Sequence, residues 1–330
     1  MKEKIKHLKD LLIRLEDRSL RPDAKLPAGV SYSSDLTISY IARQEINEIT
    51  DIEYIPVFKE LLSKEKVTKN KINLITYLIR LADKHNRNDI ADYILGLVRK
   101  EKTRWVNDVS LSGLNQSTLE VKNEREILFD LATHKDWQIR FDSFGLLSKL
   151  PREYHIRIEE LCLDQIEQNK LKDHLLRVLA STLSKVGTKK SIPLLKEVIK
   201  NSKKTDVILS GLNAVNKLNG TNELNFFLKT YEEKKDSFVK KNLISLITHH
   251  GNSEQTELLS KRLKSILSRK RKTNWVYSKG TEPEIVTILN FLDKNNKEEF
   301  EKLLKWITVK KMDKLDNTET DWIKEKMKTT

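Results

Sequence analysis

The stretch Ser268–Gly280 reads SRKRKTNWVYSKG and combines a run of charge with aromatic rings. Trp275 and Tyr277 follow four consecutive cations, and these residue types could stack on bases and neutralise phosphates. Residues 261–279 hold eight cations and no acid, an excess that indicates an anionic partner, either a nucleic acid or an acidic protein surface. A solvated helix face with no partner would have the same composition. These eight residues, here called the basic patch, are Lys261, Arg262, Lys264, Arg269, Lys270, Arg271, Lys272 and Lys279.

A related stretch lies earlier in the chain. Residues 97–106 (LVRKEKTRWV) and 266–276 (ILSRKRKTNWV) both place a basic cluster before Lys-Thr-Xaa-Trp-Val. Trp105 and Trp275 are therefore expected at equivalent corners, each after the second helix of a pair. Two interpretations stay open: the ring packs over the helix ends, or it is an exposed anchor for a base or a partner protein. Glu101 is expected to dilute the charge of the earlier copy.

Familiar catalytic motifs are absent from the sequence, which contains no GxGxxG, GxxxxGK[ST], HExxH, CxxC or GxSxG. His249 and His250 stand directly before a glycine at a predicted helix end, where stabilisation of the helix terminus is favoured over metal binding. Cys162, the only cysteine, excludes an internal disulfide and is expected to be buried. The sequence assigns no catalytic residue, no metal and no cofactor.

Composition favours a helical protein. Among 330 residues, 38% are hydrophobic and 33% charged, with only 9 Gly and 6 Pro. The net charge of +14 divides into +3 for residues 1–150 and +11 for 151–330. The N-terminal stretch lacks the apolar region of a signal peptide, and no apolar run is long enough to span a bilayer. A cytoplasmic protein without a membrane partner is expected.

Three segments repeat a helical pattern. They begin at Leu175, Ile208 and Val239, and each carries an apolar residue twelve positions, and a Leu eight positions, before a glycine. The glycines are Gly187, Gly220 and Gly251, at intervals of 33 and 31. The pattern predicts an amphipathic helix ended by a left-handed glycine, a capped turn and a second helix. Helix pairs of this kind must stack to bury their apolar faces.

These segments resemble the HEAT-repeat family of ARM-like α-solenoids. The resemblance is strongest at VGTKKSIPLLKEVIK and HKDWQIRFDSFGLLSKLP and covers residues 120–268, with weaker pairs at 38–64 and 69–100. It implies an all-α superhelix of roughly six or seven antiparallel helix pairs over residues 1–330. A cap helix and long loop would occupy 1–37, repeats 38–296 and capping helices 297–330. Long connections are expected at 17–35, 107–121 and 276–283.

Some bacterial DNA glycosylases that remove alkylated purines use a HEAT-like solenoid of this kind. That resemblance implies an Asp near aromatic residues and an Arg that faces DNA. The nearest matches here are Asp108, just past Trp105, and Arg140, just past Trp137. Their spacing departs from the pattern of those enzymes, which puts the enzymatic alternative in doubt.

Function follows from the scaffold and the missing motifs. The main hypothesis is a non-enzymatic HEAT-repeat protein that binds another macromolecule, a protein with an acidic surface, as an adaptor, regulator or toxin inhibitor. The alternative is a nucleic-acid-binding HEAT protein, including a base-excision enzyme of the glycosylase type. Lys-, Ile- and Asn-rich composition suggests a bacterial or phage origin.

Overall fold

The fold is described from a computed structural model, for residues 1–26, 29–168, 173–271 and 282–329. Within these ranges the chain is α-helical and contains no β-strand; Leu20 and Thr37 form an isolated bridge. The all-α prediction is confirmed for this part of the chain. The helices are α1 (Lys2–Arg14), α2 (Ile38–Glu48), α3 (Tyr54–Lys64), α4 (Thr68–Lys84), α5 (Asp89–Lys100), α6 (Arg104–Gln116), α7 (Arg125–Ala132), α8 (Trp137–Leu147), α9 (His155–Glu167), α10 (Asp173–Val186), α11 (Ile192–Asn201), α12 (Thr205–Asn219), α13 (Leu224–Glu233), α14 (Ser237–His250), α15 (Thr256–Ser268), α16 (Glu284–Asn295), α17 (Lys297–Lys310) and α18 (Asn317–Thr329).

The chain forms two compact units, Met1–Thr182 and Leu183–Thr330, with the boundary inside α10. In the first unit, helices adjacent in sequence pack together, α3 on α4, α5 on α6 and α7 on α8. Every second helix also packs on the next, so α4 contacts α6 and α6 contacts α8. The core of this unit is largely apolar, with Phe58, Leu78, Ile94 and Phe144 buried. These contacts fix α4, α6 and α8 as neighbours.

The second unit uses the same packing. α11 pairs with α12, α13 with α14 and α15 with α16, while α12, α14 and α16 pack in succession. The C-terminal helices α17 and α18 both contact α16. Helices α2 and α3 lie in the segment 38–64, and α4 and α5 cover the segment 69–100, where α4 packs on α5. The pairing of α2 with α3 stays a prediction. The proposed division into cap, repeats and capping helices stays a prediction.

Polar contacts between neighbouring layers recur at a repeat-like interval. Lys149 Nζ donates to the carbonyl of Asn115 at the end of α6, 34 residues earlier, at 2.5 Å. Lys234 Nζ donates to the carbonyl of Lys200, also 34 residues earlier, at 3.0 Å. In each case a cation satisfies a carbonyl near the C-terminus of an earlier helix, where no intrahelical donor remains. The first contact links the end of α8 to α6 and the second links the end of α13 to α11, so each connects a helix with the one two places earlier in the chain.

The repeat glycines act differently from the prediction. Gly29 is the only glycine among the described residues whose φ lies in the left-handed region. The left-handed helix end predicted for Gly187, Gly220 and Gly251 is therefore wrong. Glycine is needed there for close approach instead. A Cβ on Gly187 or Gly251 would lie 2.6 Å from the carbonyl oxygen of Leu183 or Ile247, respectively. The turns after Gly187 and Gly251 are capped as expected, by Thr188 and by a capping box at Asn252, whereas the turn after Gly220 has no side-chain cap.

The long loop predicted at 107–121 is also wrong, because most of it is helix α6. Its Asn, Ser and Gly residues have weak helix propensity, but burial of one face outweighs that preference. Ser110 is buried and donates its hydroxyl proton to the carbonyl of Val106 at 2.7 Å. Gly113 lets Ile79 of α4 approach, since a Cβ there would lie 2.9 Å from its Cδ1. Tertiary packing thus decides this helix.

Residues 17–35 lack α-helix wherever they are described, in agreement with the predicted connection. Most of the third predicted connection, 276–283, lies outside the described residues. Among the helices that are described, none combines the length and the apolar character required to cross a bilayer.

Candidate functional site

Three short loops lie at one end of the neighbouring helices α4, α6 and α8. These corners are residues 65–67, 101–103 and 133–136, and each leads directly into one of the three helices. Lys71 Nζ in the first turn of α4 lies 2.6 Å from Glu101 Oε2 in the second corner. Arg104 Nε in the first turn of α6 lies 2.6 Å from Asp136 Oδ2 in the third. The ion pairs therefore join the three corners into one continuous edge.

The first two corners share both sequence and hydrogen bonding. Each begins with Glu-Lys directly after a lysine that ends the preceding helix, and the Glu folds back onto its own loop. Glu65 Oε1 accepts the backbone N–H groups of Lys66 and Val67, both at 2.8 Å. Glu101 Oε1 accepts those of Lys102 and Thr103, at 3.0 and 2.9 Å. The structural counterpart of KEKTRWV within the described chain is thus KEKVTKN at 64–70, which lacks the Lys-Thr-Xaa-Trp pattern shared by the stretches at 97–106 and 266–276.

The acidic side chains of the second and third corners bond to neighbouring groups of the first unit. The side chain of Glu101 is only 15% exposed. The hydrogen bond from Lys71, together with hydrogen bonds from the backbone and side chain of Thr103, lowers the pKa of Glu101 to about 2, although burial alone would raise it. Asp136 caps α8 by accepting the Gln138 N–H at 2.9 Å and also pairs with Arg104. Glu101 is ionised at neutral pH, and its ion-pair partner is Lys71 of α4 rather than a lysine of its own corner.

The cations of the corners face the opposite way. They are here called the cationic edge: Lys64, Lys66, Lys100, Lys102, Arg104 and Lys135, all of them exposed. Lys64 shares a surface ion pair with Glu60, and Arg104 pairs with Asp136 while its side chain remains 50% exposed. Within the described part of the chain, Lys66, Lys100, Lys102 and Lys135 form no ion pair. Four unneutralised ammonium groups therefore lie along this edge.

Trp105, the second residue of α6, projects from the same edge and is 60% exposed. The Arg104 guanidinium lies 5.6 Å from its ring centroid, within cation–π range. Val67, in the neighbouring corner, is 56% exposed. A large ring with this exposure covers little of the helix pair, so the packing interpretation does not hold for Trp105. The interpretation as an exposed anchor is the one its position favours.

The basic patch is partly internal. Arg262 was expected on a solvated helix face, yet its side chain is only 12% exposed and its Nε donates to Glu284 Oε1 at 2.7 Å. Arg271 is likewise taken up by a buried partner, since Nη1 and Nη2 bond both carboxylate oxygens of Glu319 at 2.9 and 2.7 Å. Glu319 is 1% exposed at its side chain. The expectation that these two arginines are available to a partner is wrong, because each compensates a carboxylate within the second unit.

The other members of the patch differ in availability. Lys261 is 75% exposed and pairs with Glu257 one turn earlier, and Lys264 lies 3.8 Å from Glu299. Arg269 and Lys270 are exposed. Four predicted residues lie outside the described residues: Lys272, Trp275, Tyr277 and Lys279. Two exposed cations without an ion pair among the described residues, Arg269 and Lys270, thus remain from a patch of eight.

The glycosylase-like residues lie near the starts of α6 and α8. Asp108 is half-buried; burial raises its pKa, with Arg104 opposing and Asp136 adding to the rise, and its Oδ1 has no hydrogen-bond partner among the described residues. The Trp137 ring stacks on His174 with 4.9 Å between centroids, so one face is covered. Arg140 donates to Gln165 at 3.4 Å, and its Nε has no partner in the same ranges. The role of these three residues in base excision stays a prediction.

Sequence reasoning missed Asp142, which lies deeper between α6 and α8. Asp142 is 5% exposed, and its pKa is raised to about 6. Burial is the main cause; the charge of Asp108 raises the pKa further, and a hydrogen bond with Asn115 opposes the rise. Gly145 makes room for that amide, since a Cβ there would lie 2.3 Å from Asn115 Nδ2. The sequence signal for a buried carboxyl at this position is the single Asp within the largely apolar stretch RFDSFGLL.

The histidine pair and the cysteine singled out in the sequence lie in structural surroundings. His250 Nε2 lies 2.5 Å from Asn216 Oδ1, and burial, with the neighbouring His249, lowers the pKa of His250. Cys162 is buried as expected, and burial raises the pKa of its thiol. Among the described residues, no three His, Cys, Asp or Glu side chains are placed to share a metal ion.

Comparison of the whole chain with models of known protein families, and with curated protein sequences, finds no match in either.

Proposed function

We propose that this chain is a non-enzymatic α-solenoid of roughly six or seven HEAT-like helix pairs that binds a polyanionic macromolecule through the cationic edge. Paired helices, packing of alternate helices and polar contacts at an interval of 34 residues support the repeat architecture. In such folds each repeat presents the same position to solvent. The corners are one such position, repeated before α4, α6 and α8.

The observation that carries the proposal is the orientation of charge around Trp105. The acids of the corners bond inward to backbone and to cations, whereas the lysines project outward beside a ring that is 60% exposed. Exposed cations in a row attract a polyanion by neutralising successive charges and releasing counterions. The exposed ring adds contact area that charge alone does not supply.

Nucleic acid is the partner that this composition favours. Protein interfaces are depleted in Lys, while surfaces that follow a phosphate backbone combine Lys with aromatic rings. The four cations of this edge that form no ion pair within the described ranges, Lys66, Lys100, Lys102 and Lys135, are all lysines. Binding is then expected to weaken steeply as salt rises, because each neutralised phosphate releases a counterion.

A salt titration tests the proposal. Labelled DNA and RNA should bind at about 50 mM salt and lose affinity by on the order of a hundredfold or more at about 200 mM. Absence of binding at the lower salt concentration rules out nucleic acid as the partner. Circular dichroism of the same sample confirms that the helices are intact.

An acidic protein is the second candidate, and Val67 is the observation that favours it. This side chain is 56% exposed in the corner next to Trp105, and an apolar group of its size gains nothing from a phosphate. A protein segment that carries both acidic and apolar residues would cover Val67 and pair with the lysines. Capture from native lysate with and without nuclease separates the candidates, since only a directly bound protein survives nuclease treatment.

A further inference from the structure

We infer that the cationic edge binds single-stranded nucleic acid, with the ring of Trp105 stacked on an unpaired base. The inference rests on the proposed function and specifies its ligand. It is carried by two features of the first unit: one widely exposed indole, and cations that continue past it in both directions along the edge.

The path of the cations suits an extended strand. Lys64 and Lys66 precede the position of Trp105, Lys100 and Lys102 adjoin it, and Lys135 lies beyond it at the third corner. The ion pairs from Lys71 to Glu101 and from Arg104 to Asp136 keep the corners at the spacing of neighbouring helices. That spacing is about 8–10 Å, so the lysines of adjacent corners can contact neighbouring phosphates of one strand.

The position of Trp105 distinguishes a single strand from a duplex. The ring extends from the second residue of a helix, and the Arg104 guanidinium lies 5.6 Å from its centroid. Paired bases in a duplex present only their edges in the grooves, so an indole reaches a base face only where the base is unpaired. A duplex would contact the lysines alone, and Trp105 would contribute little to its binding.

The acids near this edge are bonded to groups of the protein itself. Glu65 and Glu101 accept backbone N–H groups of their own corners, and Asp136 accepts the Gln138 N–H and pairs with Arg104. Each carboxylate keeps its negative charge but is held by donors of the protein, and Glu101 and Asp136 are also paired with Lys71 and Arg104. A phosphate that approaches Lys66 or Lys102 meets the ammonium groups first.

The test compares a labelled oligothymidine of about 16 nucleotides with a duplex of equal length by fluorescence anisotropy. Trp105→Ala should weaken binding of the single strand by about 5- to 150-fold and leave the duplex within about twofold. Trp105→Phe should retain most of the affinity, because a smaller ring still stacks. Phe238→Ala is the matched control: Phe238 is 67% exposed near the start of α14, and its loss should leave both affinities unchanged.

Each outcome bears on a different claim. Equal loss for the two probes, or no loss for either, would overturn the role of Trp105 while leaving nucleic-acid binding in place. A duplex that binds as tightly as the single strand overturns the preference. Failure of both probes at about 50 mM salt contradicts the proposed nucleic-acid partner as well. Nuclease-resistant capture of a protein would then identify the acidic protein as the occupant.

Discussion

Lys71 of α4 and Glu101 of the second corner form an ion pair with 2.6 Å between Nζ and Oε2. The other oxygen of Glu101 accepts the backbone N–H groups of Lys102 and Thr103. One carboxylate therefore fixes both the packing of α4 beside α6 and the shape of the loop that leads into α6. Because Glu101 is taken up by Lys71 and the backbone, the exposed Lys100 and Lys102 form no ion pair within the described ranges.

Glu101→Gln should destabilise the first unit in a pH-dependent way. The folded-state pKa of Glu101, about 2, lies below its ordinary value of 4.5, so its contribution is present above pH 4.5 and is lost as the pH falls through 2. At pH 7 the variant should lose up to roughly 3 kcal/mol of unfolding free energy in urea titrations. Glu60→Gln, which breaks only a surface pair with Lys64, should cost less than about 0.5 kcal/mol. Equal losses in the two variants would contradict the role of Glu101.

Asp142→Asn should stabilise the protein at neutral pH. The folded-state pKa of Asp142, about 6, is above its ordinary 3.8, so the stability associated with its protonated form is present below pH 3.8 and lost as the pH rises through 6. The variant should therefore gain up to roughly 3 kcal/mol at pH 7.5 and little at pH 4. The measurement is urea unfolding at the two pH values. Glu160→Gln, at an exposed carboxyl, should change neither, and a gain at pH 4 equal to that at pH 7.5 would refute the assignment.

Arg271→Ala should weaken the attachment of α18. Removing this guanidinium leaves the buried carboxylate of Glu319 without its bidentate partner, a loss of about 3–5 kcal/mol. Arg269→Ala removes an exposed cation two residues away and should cost less than about 0.5 kcal/mol. Unfolding of the second unit is followed by hydrogen exchange in α18. If the two variants behave alike, Arg271 does not hold α18 in place.

Two glycine substitutions should act in opposite directions. At Gly96 of α5, no heavy atom lies within 4 Å of the place that a Cβ would occupy, so Gly96→Ala should stabilise by about 0.5–1 kcal/mol through helix propensity. Gly251→Ala places a Cβ 2.6 Å from the backbone oxygen of Ile247 and should cost about 1–3 kcal/mol. Thermal unfolding measures both. A neutral Gly251→Ala would show that the close approach is unimportant.

Much of the helical architecture could be predicted from the sequence, because apolar residues at helical spacing and capped turns are local signals. α6 could not, since its Asn and Ser residues resemble a loop and only burial against α4 and α8 makes it a helix. The carboxylates that pair with Arg262 and Arg271 of the basic patch could not be predicted either. Glu284 and Glu319 lie 22 and 48 residues from Arg262 and Arg271, so nothing local distinguishes a buried arginine from a solvated one.

The orientation of the corner acids was equally invisible. The letters KEK give a net charge of only +1, yet folding turns Glu65 and Glu101 onto backbone N–H groups and leaves the lysines outside. Counting charge along the sequence therefore favoured the patch at 261–279 over the corner at 100–105. Hydrogen bonding places the two carboxylates against backbone N–H groups, and within the described residues neither forms an ion pair with an exposed lysine of its own corner.

The most direct test of the central claim is a charge-reversal comparison. Lys66→Glu/Lys102→Glu alters the cationic edge, and Arg269→Glu/Lys270→Glu alters, by the same total charge, the two exposed cations of the basic patch that form no ion pair within the described residues. Binding of a labelled single strand is measured by anisotropy over a salt series. The edge variant should lose affinity by on the order of tenfold or more, with a salt slope smaller by about two, while the patch variant stays within about threefold of the unaltered protein. Loss of binding in the patch variant with an unchanged edge variant would contradict the assignment.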